Sequence, residues 1–556
     1  MIMSNPITEK EIKEAAETLR KYKEGKANLE NRIVEDEMFW KRRHWEVLRK
    51  NDEKTKPSSA WMFNSIANKH ADAMDSFPEA ICLPREKSDE ESAKTLTSII
   101  PVVLERNGFE DVYSDNWWYK LKHGFCAYGV FWDNSAENGL GDVSVKKIDV
   151  LNIFWEPGIR DIEKSRNLFI CDLVPLDILK EKYPKAQISG GEQTQIKQYI
   201  HDDSIDASDK ALVVDWYYKK GGKLHYCKFC EDNILYSSEN ERIDSWYSDG
   251  NYPIVLDVLY PEEGTVFGFG IISVTKDAQL YIDTLDEKVM KYIHAAANPR
   301  YFSKISAGIN ENEFLDVSKP IVHVEGEIDE NRLRQIVVQP LNGYVMNFRE
   351  AKIEELKETS SNRDFSQGGT AGGVTSGAAI AVLQEAGNKT SRDMIDASYR
   401  AFARIVHKVI ERMRQFYTEE RAFRIVGEKG ENKYVPFDSS KIGEQSIGTV
   451  GENELFRKPI FDISIKAQKQ NPYSTLSQNE TAMNLYNAGF FDPQRAQSSL
   501  AALKLMTFEG KKEIEDYLTQ GATLQNQLMQ LQQQMQAVVQ ENEMLKGAVP
   551  LSGDVK

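Results

Sequence analysis

The one cluster in this chain that resembles a metal or redox site is His225-x-Cys227-x-x-Cys230. A structural zinc takes four ligands, commonly with a second pair at defined spacing. The remaining cysteines, Cys82, Cys126 and Cys171, form no such pair. The flanking Lys223–Tyr226 and Ile234–Tyr236 read instead as the two strands of a hairpin, so no metal ligand is assigned. Gly368-Gly369 and Gly372-Gly373 could cradle a phosphate, but the Gly-Lys-Ser/Thr ending of a nucleotide-binding loop is missing. That segment is either a flexible linker or a loop whose small side chains allow close approach. Glu354-Glu355 and Asp89-Glu90-Glu91 read as solvated faces, and Trp117-Trp118 as core. With no acid/base pair and no nucleophile motif, no catalytic or cofactor-binding residue is assigned. The chain is expected not to be an enzyme.

Bulk properties narrow the class further. At 556 residues the chain exceeds what one hydrophobic core usually supports, and its 41% hydrophobic residues are ample for two or more domains. The formal net charge is -16. Tight static binding of nucleic acid needs a basic footprint, so contact with DNA is expected to be weak or confined to local patches. The odd, sparse cysteine count suits a reducing cytoplasm. Ile12–Lys26 carries charges throughout and does not read as a signal peptide, and no apolar run is long enough for a membrane span.

The elements that would position any site follow from periodicity. Thr8 followed by Glu11 fits a capping box, opening a helix that reads to about Lys50. Further helices are expected at Asn64–Met74, Ala93–Asn107 and Leu176–Lys182, with strands at Phe125–Trp132, Val143–Ile153, Asn167–Val174 and Leu212–Tyr218. From Ile271 to Ala297 an amphipathic helix repeats Ile271, Val274, Ala278, Ile282, Leu285, Val289, Tyr292 and Ala296 on one stripe. A compact insert, Arg300–Pro340, has strand-like Ile321–Val324 and Ile336–Val338, and a second helix spans Gly343–Thr359. After the glycine-rich Ser360–Gly377, a long helix runs from Ala378 to about Tyr417, with a kink expected near Gly387-Asn388. Its stripe is Ile395, Tyr399, Phe402, Val406, Val409, Met413 and Phe416. Strands follow at Ala422–Val426 and Phe461–Ile465, then helices at Asn479–Ala488 and Pro493–Lys504. Finally, Leu524, Leu528, Leu531, Met535, Val538, Asn542 and Leu545 are spaced alternately by four and three. This is a heptad seam suited to homotypic bundling, with Asn542 fixing register.

In that order and spacing, the elements resemble the portal proteins of tailed bacteriophages across nearly the whole chain. Local support comes from Asn64-x-x-x-Asn68 with Pro78, Gly124-Phe125-Cys126-Ala127-Tyr128-Gly129, Pro253 with Phe267-Gly268, Thr375–Ile380, and Phe490-Phe491-Asp492. The resemblance implies an α+β portal fold, with N-terminal helices and a β-rich wing over 1–270 and stem helices at 271–298 and 341–359. It places a small α/β clip at 299–340, a tunnel loop at 360–377, and a long kinked wing helix with wing strands over 378–470. A helical crown at 471–520 and a coiled-coil barrel at 521–556 complete the assignment. It further implies a homo-oligomeric ring, a dodecamer in this family, at one capsid vertex of the virion, assembled in the host cytoplasm. The implied partners are viral double-stranded DNA, passing non-specifically through the channel, the terminase large subunit, head-completion or adaptor proteins, and capsid or scaffolding protein. No cofactor and no membrane are implied. Within the tunnel loop, Arg363, Gln367, Gly368, Gly369, Gly372, Gly373 and Thr375 are the expected DNA-facing positions. The rival readings are a cytoplasmic scaffold held together by the heptad tail, with no DNA role, and a metalloenzyme built on Cys227 and Cys230.

Overall fold

The computed structural model describes residues 6–48, 56–188, 196–200, 209–298, 300–303, 308–316, 318, 320–325, 333–339, 341–361, 389–426, 432–450, 453–469 and 511–547, with isolated positions between 483 and 503. It divides into two units, Met1–Ala467 and Gln468–Lys556.

In the first unit, α1 (Glu9–Trp40) opens on the expected capping box: the Thr8 amide donates to Glu11 Oε2 at 2.8 Å. It stops short of Lys50, because Arg42 adopts φ 60° and breaks the helix before the short α2 (His44–Leu48). Next come α3 (Trp61–Met74), β1 (Ser76–Pro84), α4 (Glu90–Arg106) and α5 (Phe109–His123). The strand expected over Val143–Ile153 is two strands in different sheets. β2 (Phe125–Asp133) and β3 (Asp142–Ile148) belong to a three-stranded antiparallel sheet whose other edge is Ile254–Val258. β4 (Ile153–Trp155) starts a second, five-stranded antiparallel sheet. That sheet continues through β5 (Asn167–Pro175) and, after α6 (Leu176–Lys182), through β6 (Lys210–Lys220), β7 (Lys223–Cys230) and β8 (Asn233–Ser237). α1 lies on one face of it, burying Ile12, Ala15 and Tyr22 against Phe154, Phe169 and Trp216.

β9 (Ile254–Val258) leads through the small β10–β11 pair (Tyr260–Pro261 with Gly268–Phe269) into α7 (Ile271–Ala297). The turn into α7 is a place where backbones nearly touch. A Cβ on Gly268 would sit 1.9 Å from the Tyr260 carbonyl oxygen, and one on Gly270 would sit 2.4 Å from that of Lys122. The chain can cross here only where side chains are absent.

Beyond α7 lie β12 (Tyr301–Ser303), paired with β13 (Leu333–Gln335), and the short α8 (Glu311–Leu315). The expected strands shift: Ile321–Val324 contributes one bridge, Ile309 to Val324, and the pairing on the return lies at 333–335, ahead of Ile336–Val338. α9 (Gly343–Thr359) returns along α7, with Ile282, Ile353 and Leu356 buried between them beside Trp61 and Ala278. The expected apolar stripe of α7 is only partly the buried one. Thr275, Gln279 and Asp283 are buried with Ile271 and Ile282, while Val274 is 42% exposed.

α10 (Lys389–Phe416) presents the stripe read from sequence. Ile395, Phe402, Val406, Val409 and Met413 are buried, with Tyr399 and Phe416 packed at the margin of the main core. Residues 378–388, including Gly387-Asn388, lie outside the described residues. Hairpins β14–β15 (Arg421–Val426, Asn432–Phe437) and β16–β17 (Gln445–Val450, Asn453–Arg457) follow, and β18 (Phe461–Lys469) pairs with β1.

In the second unit, most of the stretch expected as helices over 479–504 lies outside the described residues. α11 (Lys511–Gly547) is one continuous helix that runs through the 520/521 boundary and carries the whole heptad seam. At ~1.5 Å per residue it is roughly 55 Å long.

The backbone crossing at Gly268 makes a direct prediction. Gly268→Ala should destabilise the protein by about 1–3 kcal/mol through overpacking. Gly343→Ala, where an added Cβ meets nothing within 4 Å, should be close to neutral. Thermal melting of the two variants distinguishes them.

Candidate functional site: the base of the glycine-rich segment

The expected DNA-facing residues Arg363, Gln367, Gly368, Gly369, Gly372, Gly373 and Thr375 lie outside the described residues, which stop at Ser361 and resume at Lys389. Both ends of that segment are described, and both are held by α3. At the end of α9, the Ser360 hydroxyl, buried, donates to Ser65 Oγ at 3.0 Å. At the start of α10, Ser391 accepts from Lys69 Nζ at 2.7 Å and donates to Asp72 Oδ2 at 2.8 Å. Ser65, Lys69 and Asp72 are spaced by four and three, so they share one face of α3. The two anchors are therefore about 6–10 Å apart along that helix. Lys69 is 4% exposed, and burial lowers its pKa, which makes its ion pair with Asp72 and its bond to Ser391 the compensation for lost water.

Two turns further along α10 is a second fixed point. Lys120 Nζ, fully buried, donates to Asp257 Oδ1 at 2.8 Å and to Ser398 Oγ at 2.7 Å. Ser398 in turn donates to Asp257 Oδ2 at 2.6 Å. One lysine thus joins α5, β9 and α10. The hairpin has an anchor of its own. Asp283 of α7, with no exposed surface, accepts from the Ser59 amide at 2.8 Å, from Ser59 Oγ at 2.7 Å and from Gln279 Nε2 at 3.1 Å. His44 Nε2 stands 3.3 Å from its other oxygen. Arg349 of α9 grips Asp286 of α7 with both arms of its guanidinium. Past these anchors the hairpin turns apolar side chains outward: Met290, Ile293, Phe302, Leu315, Val337 and Tyr344 are all exposed.

The other candidates resolve differently. Cys227 faces the cluster under α1, whereas Cys230 packs with Leu179, Ala211 and Val213 on the opposite face of the sheet. A strand's two-residue period separates them, so His225, Cys227 and Cys230 do not converge. Burial pushes the Cys227 thiol up to about 12 and the Cys230 thiol to about 11, away from the thiolate a metal needs. Trp117 is buried core, as expected, while Trp118 is half-buried and stacks on His70 with centroids 3.8 Å apart. Along α11, Leu531, Met535, Val538 and Asn542 are exposed; Leu524, Leu528 and Leu545 lie on the same helix. No helix among the described residues is long and apolar enough to cross a membrane.

The α3 clamp and the Lys120 node were not read from the sequence. Asn64-x-x-x-Asn68 drew attention to the right helix, but Ser65, Lys69 and Asp72 look like ordinary solvated positions until their partners, more than 280 residues away, are in place.

The model of the phage P22-like portal protein family matches residues 34–221 and 219–549. Among solved structures, a chain of the "Virion of native gene transfer agent (GTA) particle" is 11% identical, with 78% of this chain and 87% of that chain covered, at a TM-score of 0.37. No curated protein sequence matches.

The Lys120 node gives a quantitative expectation. Lys120→Met strands the buried Asp257 carboxylate and should cost about 3–5 kcal/mol, whereas Lys120→Met combined with Asp257→Leu should recover much of that loss. Urea denaturation of the three proteins would measure it.

Proposed function

The chain belongs to the phage P22-like portal protein family, a structural family whose members form homo-oligomeric rings in a capsid, and from that premise we propose that it forms the ring at one capsid vertex through which viral DNA enters and leaves. The family match over nearly the entire chain carries this reading. Under it, α7 and α9 are the stem, the insert between them is the clip that meets the terminase large subunit and later the head-completion or adaptor proteins, and 360–377 is the tunnel loop. The apolar residues exposed along the hairpin support subunit contact there, since a ring covers on each copy what a single copy leaves open. Capsid or scaffolding protein is the partner outside the ring, and a dodecamer is the subunit number of the resemblance.

The charge balance fits a conduit better than a clamp. Each Lys–phosphate contact adds affinity, hence friction, and the acidic balance of a chain of net charge -16 works against such contacts. Arg363 and the paired glycines of the tunnel loop are proposed as the light, small-sided contact with passing duplex. The exposed seam of α11 is proposed to bundle with its copies into a barrel.

Two deletions test the assignment. Removing residues 365–374 should leave rings visible by negative-stain electron microscopy while lowering packaged DNA per particle; normal phage yield would sink the loop's role. Truncation before Gly521 should also leave rings, because the hairpin and body surfaces remain. Collapse to monomers on size exclusion would instead favour a scaffold held by its coiled coil.

A further inference from the structure

Asp36, on α1, is a carboxylate with no exposed surface and no well-formed hydrogen bond at either oxygen. Burial without a partner strongly disfavours the charged form, so such a side chain must hold a proton or find a cation. It sits where α1 meets the root of α7. Ser273 Oγ, also buried and without a well-formed bond, faces it from the first turn of α7, with Lys276 three residues on. On α1 itself, Arg32 lies four residues back and Glu35 beside it. These are the charged groups that face the carboxylate. Lys122 and His123 of α5 turn instead to Glu37.

Both cations that face Asp36 are committed elsewhere. Lys276 pairs with Glu35, Nζ to Oε1 at 3.3 Å. Arg32 donates to the Gly268 carbonyl, stands 3.4 Å from Glu262 and lies over the Phe267 ring, 5.6 Å from its centroid. Gly268 belongs to the turn that feeds α7, at the crossing where the backbones leave no room for a side chain. Arg32 therefore fastens that turn, while Asp36, on the same face of α1, goes without it. A charged carboxylate four residues away would compete for the same guanidinium. Burial holds the Asp36 carboxyl up at about 7, so the competition is set near neutral pH.

We infer that Asp36 is a proton-operated latch between α1 and the root of α7. Protonated, its side chain is neutral, and Arg32 stays on the Gly268 carbonyl. Ionised, it draws Arg32 or Lys276 from its present partner, and the turn into α7 loosens. The folded chain holds this proton more firmly than the unfolded chain does. The latch therefore stabilises the root of α7 in acid, and that stability is lost as pH rises through about 7. The device lies within one copy of the chain and stands apart from the ring reading.

Hydrogen exchange on the full chain, corrected for the intrinsic rate at each pH, tests the latch at the amides of Val274 to Asp277. Their helical acceptors are the carbonyls of Gly270 to Ser273. Between pH 6 and pH 8 their protection in the wild type should fall about tenfold, the linkage of one proton released on this rise. In Asp36→Asn, which keeps the shape and cannot ionise, protection should stay level. Lys276→Met, which removes one of the two facing cations, should move the fall to higher pH. Protection indifferent to pH in the wild type would overturn the inference. So would a fall that persists in Asp36→Asn, since it would belong to another group. Lower protection in Asp36→Asn than in the wild type at pH 8 would mean that the carboxylate is charged and already held, which also overturns it. If Asp36→Asn does not fold, an unmoved midpoint in Lys276→Met decides against the latch.

Discussion

A lysine removed from water sets the frame for the rest of the molecule. Lys120 can be accommodated inside the protein only because Asp257 and Ser398 meet it at hydrogen-bonding distance. That condition is satisfied in one mutual placement of α5, β9 and α10, elements more than 130 residues apart in the chain. Apolar packing could tolerate small slips of α10 along the sheet; a buried ion pair with both oxygens of its carboxylate engaged does not. The β hairpins that follow α10 take their start from this node.

Much of the fold was legible because it rests on periodicity. The stripe of α10 and the hairpin around Cys227 and Cys230 are local patterns, and local patterns survive without tertiary information. The failures are equally physical. α1 stops early because Arg42 takes a left-handed conformation, which no residue type announces. Val143–Ile153 was read as one strand because both of its sheets need the same apolar alternation. The buried face of α7 is more polar than its apolar stripe suggested, since Asp283 is buried against Ser59 and Gln279 against the Met62 amide at the start of α3. The candidate site was the least legible part. Serine, lysine and aspartate at surface-like spacing carry no sign that α3 is a clamp.

α7 meets two demands along its length. Through its middle it is fastened to its own chain by Gln279, Asp283 and Asp286, polar groups whose geometry fixes direction. Further out, where Met290 and Ile293 stand exposed, it keeps non-directional apolar surface that can accommodate a partner. Rigid fastening at one end with adaptable surface at the other is what a two-helix arm needs if its position is to be inherited from its own fold and its tip to match another molecule.

The clamp on α3 has a mechanical meaning. Two attachments side by side on one helix share a pull in parallel, so neither yields before the other is loaded. Attachments in series would peel one at a time. Force arriving through the segment between Ser360 and Ser391 would therefore enter the body as a shear along α3, distributed over Ser65, Lys69 and Asp72. It would pass into α7 through the bond between the Met62 amide and Gln279. α3, whose polar residues read as ordinary surface positions in the sequence, is placed to carry that shear into the body.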